Sequence, residues 1–362
     1  MQIELLKLKY YRNLKDTELE LSPGVNIFLG DNAQGKTNLL EAVYLCASGR
    51  SRRAKSDKEM ISFGREEAFI QTIAQKNGFH TKVDIHLRHN RTKGAAIDGI
   101  PIRAVSELFG NFICVLFAPE DLQLVKSGPG ERRRFIDMEL CQISKPYVYH
   151  LQTYHKVLKQ RNNLLRTLRK NQTMQLLDSL EAWDSQLVEH GEKLHNMRSS
   201  YISLLGGAAA AIYTEIAAGE EFYLKYKPDT QPEELKEALK RTLERDIAQG
   251  ATSTGIHKDD ISFTISGEDA RYYASQGQQR TAALCAKLAQ ARVVSETKGY
   301  PPVLLLDDVL SELDYSRQNQ LIRYISNTQT ILTCTGIEDA LKNIAGQVNT
   351  YRVRKGEILK NK

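Results

Sequence analysis

Apolar and polar positions alternate as soon as the chain begins: Ile3-Glu4-Leu5-Leu6-Lys7-Leu8, then Thr17-Glu18-Leu19-Glu20-Leu21, then the more apolar Val25-Asn26-Ile27-Phe28-Leu29. A period of two places every second side chain on one face, so these segments predict strands and a β-rich lobe. Phe69 to Gln75, Thr81 to Leu87 and Phe112 to Phe117 predict more strands. Ile97-Asp98-Gly99-Ile100 predicts a hairpin turn, because glycine accepts positive φ without a steric clash. From about Glu120 to Gln249 the period lengthens to that of helices, over 131–143, 146–170, 174–216 and 232–247. Pro146 and Pro232 stand in first turns, where a missing amide leaves no helical bond unmade. No heptad seam persists, which excludes a long coiled coil. Strands return at Ile261 to Ile265, Val303 to Leu306, Thr330 to Thr333 and Thr350 to Val353. The pattern predicts an α/β fold in three stretches: 1–119, a helical insert over 120–250, and 251–362.

The junction between the third strand and the first helical run reads Gly30-Asp31-Asn32-Ala33-Gln34-Gly35-Lys36-Thr37. This is the G-x-x-x-x-G-K-[ST] spacing in its required strand and helix context. The glycines let backbone amides wrap a phosphate, the helix N-terminus adds a positive dipole end, Lys36 reaches outer phosphates, and Thr37 offers a hydroxyl to magnesium. Magnesium also calls for a carboxylate at a strand end, and Val303-Leu304-Leu305-Leu306-Asp307 supplies Asp307. Asp308 stands either as a base or water-positioning group or as a cap ahead of Val309-Leu310. Ser275-Gln276-Gly277-Gln278-Gln279-Arg280 precedes an apolar helix and reads as a second phosphate contact or as an ordinary capped helix.

With 362 residues and 41% hydrophobic content the chain can bury a substantial core. No apolar run approaches the roughly 20 residues of a spanning helix, and the N-terminus lacks a signal-peptide plan, so a cytoplasmic protein without a membrane partner is expected. Five scattered cysteines without C-x-x-C pairing read as buried thiols. The net charge is +6, with basic residues gathered at Arg50, Arg52, Arg53, Lys55 and Lys58, at Arg132-Arg133-Arg134, and along 156–170. Each cluster alone reads as a solvated face. Together they make Arg52, Arg53, Lys55, Arg132 and Arg133 candidate nucleic-acid contacts. His257, with no second histidine nearby, reads as a hydrogen-bonded structural residue.

The order of glycine loop, helical insert, S-Q-G-Q-Q-R and L-L-L-D-D-V-L-S-E-L-D resembles ABC-type ATPase heads of the SMC group. Over essentially its full length the chain is similar to the RecF family of bacterial recombination-mediator ATPases. Tyr11-Arg12-Asn13-Leu14, Phe117-Ala118-Pro119-Glu120-Asp121-Leu122, Gly130-Glu131-Arg132-Arg133-Arg134-Phe135-Ile136-Asp137 and Thr254-Gly255-Ile256-His257-Lys258-Asp259-Asp260 carry that likeness. The resemblance implies an ABC/SMC-type P-loop ATPase head whose two halves come from opposite chain ends. It implies ATP and Mg2+ as cofactors, with Arg12 and Asn13 approaching the nucleotide. It implies an ATP-dependent homodimer in which Ser275, Gln276, Gly277 and Gln278 of one copy cap the nucleotide of the other. It also implies slow hydrolysis, binding to double-stranded DNA and ss/ds junctions, a role in repair, replication and the SOS response, mediator partners RecR and RecO with RecA downstream, and a nucleoid-associated location. Asp308 replaces the glutamate usual in ABC proteins. Their switch histidine has no counterpart in Thr333-Cys334-Thr335, where a threonine would serve instead. A transporter ATPase subunit shares the two loops but leaves the insert without a use. A small-molecule kinase leaves the S-Q-G-Q-Q-R helix unexplained.

Overall fold

The computed structural model describes residues 1–217, 219–325, 328–336 and 347–360. The chain divides into two units: one built from Met1–Leu122, Glu215–Ala218 and Ala283–Lys362, the other from Gln123–Thr214 and Gly219–Ala282. Residues 251–282, which the sequence pattern places with the C-terminal stretch, thus group with the helical segment.

Two sheets organise the first unit. One is an antiparallel meander in the order 17–20, 2–9, 67–76, 79–88, 94–97, 100–101. Its last hairpin pairs Ile97 with Ile100 across Asp98-Gly99, whose φ values of 52° and 81° are those the turn requires. The other sheet has the order 357–360, 348–354, 25–29, 330–334, 303–307, 114–117, and every pairing except the terminal hairpin is parallel. The strands Val303–Asp307 and Thr330–Cys334 are buried at every position, which explains why they read as continuous apolar runs rather than alternations. The strand Thr330–Cys334 lies between Val25–Leu29 and Val303–Asp307, so the ends of the loop strand and the acidic strand open on a common edge.

Helices Pro129–Ile143, Lys145–Leu168 and Met174–Ile216 follow the predicted spans closely. Ser144 starts the second by accepting from Tyr147 N. Leu165, Leu168, Leu180 and Ile247 form one apolar cluster of the second unit. The run expected over 232–247 is instead a short 3-10 turn followed by Leu235–Arg241 and Leu243–Gln249, broken at Thr242. A strand, Phe222–Lys227, pairs antiparallel with Asp260–Ile265 inside the stretch assigned to helices. Its alternating burial matches F-Y-L-K-Y-K. All five cysteines are buried. Among the described residues no helix is long and apolar enough to cross a membrane.

Candidate active site

The strand Val25–Leu29 runs into the glycine loop, and the helix Lys36–Ser48 leaves it. Gly35 caps that helix at φ 114°, in the region that favours glycine. A Cβ on Gly30 would come within 2.3 Å of Val353 O, so this glycine lets the loop lie close against the strand Val348–Arg354. Lys36 is buried, and its ammonium donates to the carbonyls of Gly30 and, at 2.8 Å, Asp31. Asp31, Asn32 and Ala33 are exposed along the loop. Gln34 anchors its rear, accepting from Lys355 N at 2.6 Å while its carbonyl accepts from Gly356 N at 3.1 Å.

Thr37 Oγ1 donates to Asp307 Oδ1 at 2.9 Å, and Thr333 Oγ1 donates to the same oxygen at 2.8 Å. Parallel register places Thr333 directly beside Asp307. Burial raises the pKa of the Asp307 carboxyl, with the two threonine hydrogen bonds and Arg53 opposing and Glu120 adding to the rise. Asp308 follows at φ 50°, and its amide donates to both the carbonyl and the hydroxyl of Thr333 at 3.1 Å. Its side-chain Oδ1 is buried with no hydrogen-bond partner among the described residues. The turn Leu310–Glu312 has Val309, not Asp308, at its cap.

A polar node that sequence reasoning did not find braces this loop. Glu41, on the loop helix, accepts from Tyr11 OH at 2.9 Å, from Arg12 Nε and Nη2 at 2.9 Å each, and from Ser51 Oγ at 2.5 Å. Burial disfavours the charged carboxyl, yet the hydrogen bonds from Arg12 and Ser51 hold its pKa below the ordinary value. Arg12, expected near nucleotide, is engaged by Glu41 and by Glu59 O at 2.7 Å. Asn13 donates to Ala33 O at 3.1 Å and accepts from Asn38 Nδ2 at 2.8 Å, which fastens it to both loop and helix. The signal was a carboxylate inside the apolar run Leu39-Leu40-Glu41-Ala42-Val43.

The segment Ser275 to Gln278 closes a reciprocal cap: Gln278 N donates to Ser275 Oγ at 3.2 Å, and Ser275 N donates to Gln278 Oε1 at 2.8 Å. Gln278 Nε2 also holds Glu220 at 2.8 Å. Ser275, Gln276 and Gly277 are exposed at the start of the helix Gln276–Lys298. Of the basic candidates, Arg132 is buried and paired with both oxygens of Asp260 at 2.6 and 2.9 Å, so it does not face solvent; Arg133 donates to Asp259 O at 2.8 Å. Arg52 pairs with Asp121 at 2.7 Å, Arg53 is exposed and donates to Asn38, and Lys55 is exposed. His257 is structural: Nδ1 faces Tyr154 OH at 2.9 Å, Nε2 faces Thr252 O at 3.1 Å, and burial lowers its pKa to about 4.

This geometry can be set beside known proteins. The model of an AAA domain matches residues 5–249. The DNA replication and repair protein RecF of Lachnoclostridium phytofermentans is 47% identical over 361 residues, covering 99% of this chain and all of that one. The chain belongs to the RecF family. RecF of Clostridium perfringens is 41% identical over 364 residues, with 99% of each chain covered. A solved RecF–ATP structure, of a recombination mediator protein in the RecFOR pathway, superposes with a TM-score of 0.92 at 32% identity, covering 99% of this chain and 97% of that one. An Smc head domain from Pyrococcus furiosus matches with a TM-score of 0.59 at 15% identity over 99% and 95% of the two chains, a likeness of fold. The RecF-type head is therefore an ABC/SMC-type ATPase fold with a mixed α/β core.

Proposed function

We propose that this chain is an ATP-dependent DNA-binding protein of recombinational repair and replication, dimerising on ATP and hydrolysing it slowly. The observation that carries the reading is the Thr37–Asp307 hydrogen bond, 2.9 Å across 270 residues of sequence, which joins the phosphate loop to the acidic strand. The donors on that edge are a hydroxyl and a carboxylate, a hard oxygen set that suits Mg2+. Thr37 and Asp307 would hold the Mg2+, which would supply positive charge to offset that of the phosphates. Lys36 exchanges its two loop carbonyls for the outer phosphates, and Asp308, with its unbonded buried oxygen, orients the attacking water. Asn13 holds the shape of the loop at Ala33. Ser275 uses an acceptor lone pair in its cap, which leaves its hydroxyl proton to donate to the γ-phosphate held by a second copy. The amides of Gln276 and Gly277, in the first helical turn, have no carbonyl within the helix to bond and serve the same oxygens.

A nucleotide bound better by the pair than by the single chain drives dimerisation by that difference in affinity. The closed dimer then holds double-stranded DNA at gaps or ss/ds junctions and assists recombinase loading with RecR and RecO, upstream of RecA. Exposed cations from the three basic clusters, among them Arg53, Lys55, Arg134, Lys156, Lys159 and Lys170, are available to phosphates. The test is molecular mass in solution with and without ATP and magnesium, each with and without a short gapped duplex. A mass that doubles with ATP supports the reading, and one that never changes overturns it. Lys36→Ala should abolish the doubling. DNA affinity should fall with salt by a log-log slope of about 0.9 per phosphate neutralised.

A further inference from the structure

We infer that Arg271, Tyr272 and Tyr273 form a contact plate for the nucleoside end of a triphosphate held by a second copy of this chain; the inference rests on the nucleotide sandwich proposed above. Tyr272 and Tyr273 are 68% and 73% exposed, although the turn that bears them has little freedom. Asp269 Oδ1 accepts from Arg271 N at 2.9 Å, and Asp269 O accepts from the amides of Tyr272 and Tyr273 at 3.1 and 3.0 Å. Ala270 N donates to Phe263 O at 2.8 Å, which ties the turn to the strand Asp260–Ile265. Buried Gln279 ties it to the following helix, donating to the carbonyls of Ala270 and Arg271 at 2.8 and 3.3 Å. A loose loop would fold two such rings onto the surface; this one holds them out.

The surroundings favour a nucleotide as occupant. From Arg271 to Arg280 the chain carries two arginines and no carboxylate of its own, and the carboxylate held there, Glu220, is engaged by Gln278 Nε2 at 2.8 Å. The Arg271 guanidinium lies 5.1 Å from the centre of the Tyr272 ring, joining positive charge to an aromatic face. Nothing overhangs Gly277, where an added Cβ would meet only Ser275 Oγ at 3.9 Å, so a ligand can approach the helix start closely. Ser275 follows Tyr272 by three positions, a reach of at most about 10 Å. That is the scale on which the ribose and base lie from a γ-phosphate held at Ser275. Aromatic faces stack on any base, which suits a contact without base selectivity.

The test compares Tyr272→Ala/Tyr273→Ala with the corresponding double Phe and double Leu variants. A fluorescent ATP analogue measures nucleotide affinity at protein concentrations where chains are single, and light scattering measures ATP-driven dimerisation. The Ala and Leu pairs should weaken dimerisation at least tenfold while leaving single-chain affinity within about twofold, and the Phe pair should dimerise as wild type does. Wild-type dimerisation by the Ala pair overturns the inference, as does a parallel loss of single-chain affinity. Leu performing as well as Phe would mean that apolar area, not a stacked nucleoside, makes the contact, and it overturns the assignment too. A wild type that stays single with ATP removes the sandwich itself, an outcome distinct from a wild type that pairs beside variants that do also.

Discussion

Asp308 and Asp259 are both carboxylates at strand ends, one in each unit, and they are treated in opposite ways. Asp259 is buried with both oxygens engaged, by Arg198 at 2.9 Å, by Tyr226 OH, and by the amide of Asp229 at 2.9 Å. Arg198 is itself fully enclosed, donating also to Ile256 O, Tyr147 OH and Asp137. Asp308 has a buried oxygen with no partner among the described residues and a backbone in the left-handed region. Unmet hydrogen-bonding capacity costs stability, and strained backbone persists only where the surroundings hold it. The comparison teaches that Asp259 serves as architecture, with its charge fully met, whereas Asp308 keeps capacity in reserve for something outside the chain.

The strongest way to break this contrast is Arg198→Met. It strands Asp259 as a buried carboxylate without its cation and takes a bond from half-buried Asp137, and urea unfolding should show a loss of about 3–5 kcal/mol. Asp308→Asn should do the reverse: an unfolding midpoint that barely moves, retained ATP binding, and turnover slower by about 100-fold. Unchanged turnover in that variant would deprive Asp308 of its role. Glu41→Gln falls between the two, because Glu41 braces the loop helix through Tyr11, Arg12 and Ser51. Losing charge-assisted bonds to Arg12 should cost about 2 kcal/mol in the same unfolding assay. A variant as stable as wild type would show that Asn13 and Gln34 brace the loop alone.

The smallest effect is in pH, and its sign separates two carboxyls of the same unit. The Asp307 pKa is raised by burial, so protonation removes a buried charge, and its contribution to folding stability grows as pH falls through that raised value. The Glu41 pKa is lowered, so its stabilisation is present above the ordinary carboxylate range and is lost as pH falls through the lowered value. The Mg2+ site proposed above needs Asp307 ionised. The rise in Tm on adding ATP and magnesium should therefore begin to shrink on acidification while pH is still above the ordinary Asp pKa of about 3.9. A shift constant down to that point would contradict the burial of Asp307.

The phosphate loop was legible because its chemistry is local: eight consecutive residues between a strand and a helix state the whole geometry. So were the long helices and Asp98-Gly99. Contacts set by strand register were not. That Thr333 shares the oxygen of Asp307 depends on two parallel strands separated by a helix, and no spacing rule reports it. Arg132 was misplaced for a related reason, since three consecutive arginines look alike in sequence while a helix turns one inward to Asp260 and one outward. Phe222–Lys227 did carry strand alternation, but its partner Asp260–Ile265 lies beyond two more helices, and a lone short strand between helical runs is easily absorbed into them. Glu41 was passed over because a single carboxylate on an apolar face does not say which groups come to meet it.

The sheet order has a consequence for synthesis. Among the described residues the loop strand Val25–Leu29 pairs with Thr330–Cys334 and Val348–Arg354, so the parallel sheet waits until those distant strands have been made. The second unit is almost continuous in sequence and can fold while still attached to the ribosome. During translation the phosphate loop would therefore emerge well before the strands that complete it, leaving Val25 to Leu29 as an unpaired apolar strand in the meantime. A nascent chain stopped short of residue 330 should aggregate more readily than one stopped before the loop strand is made.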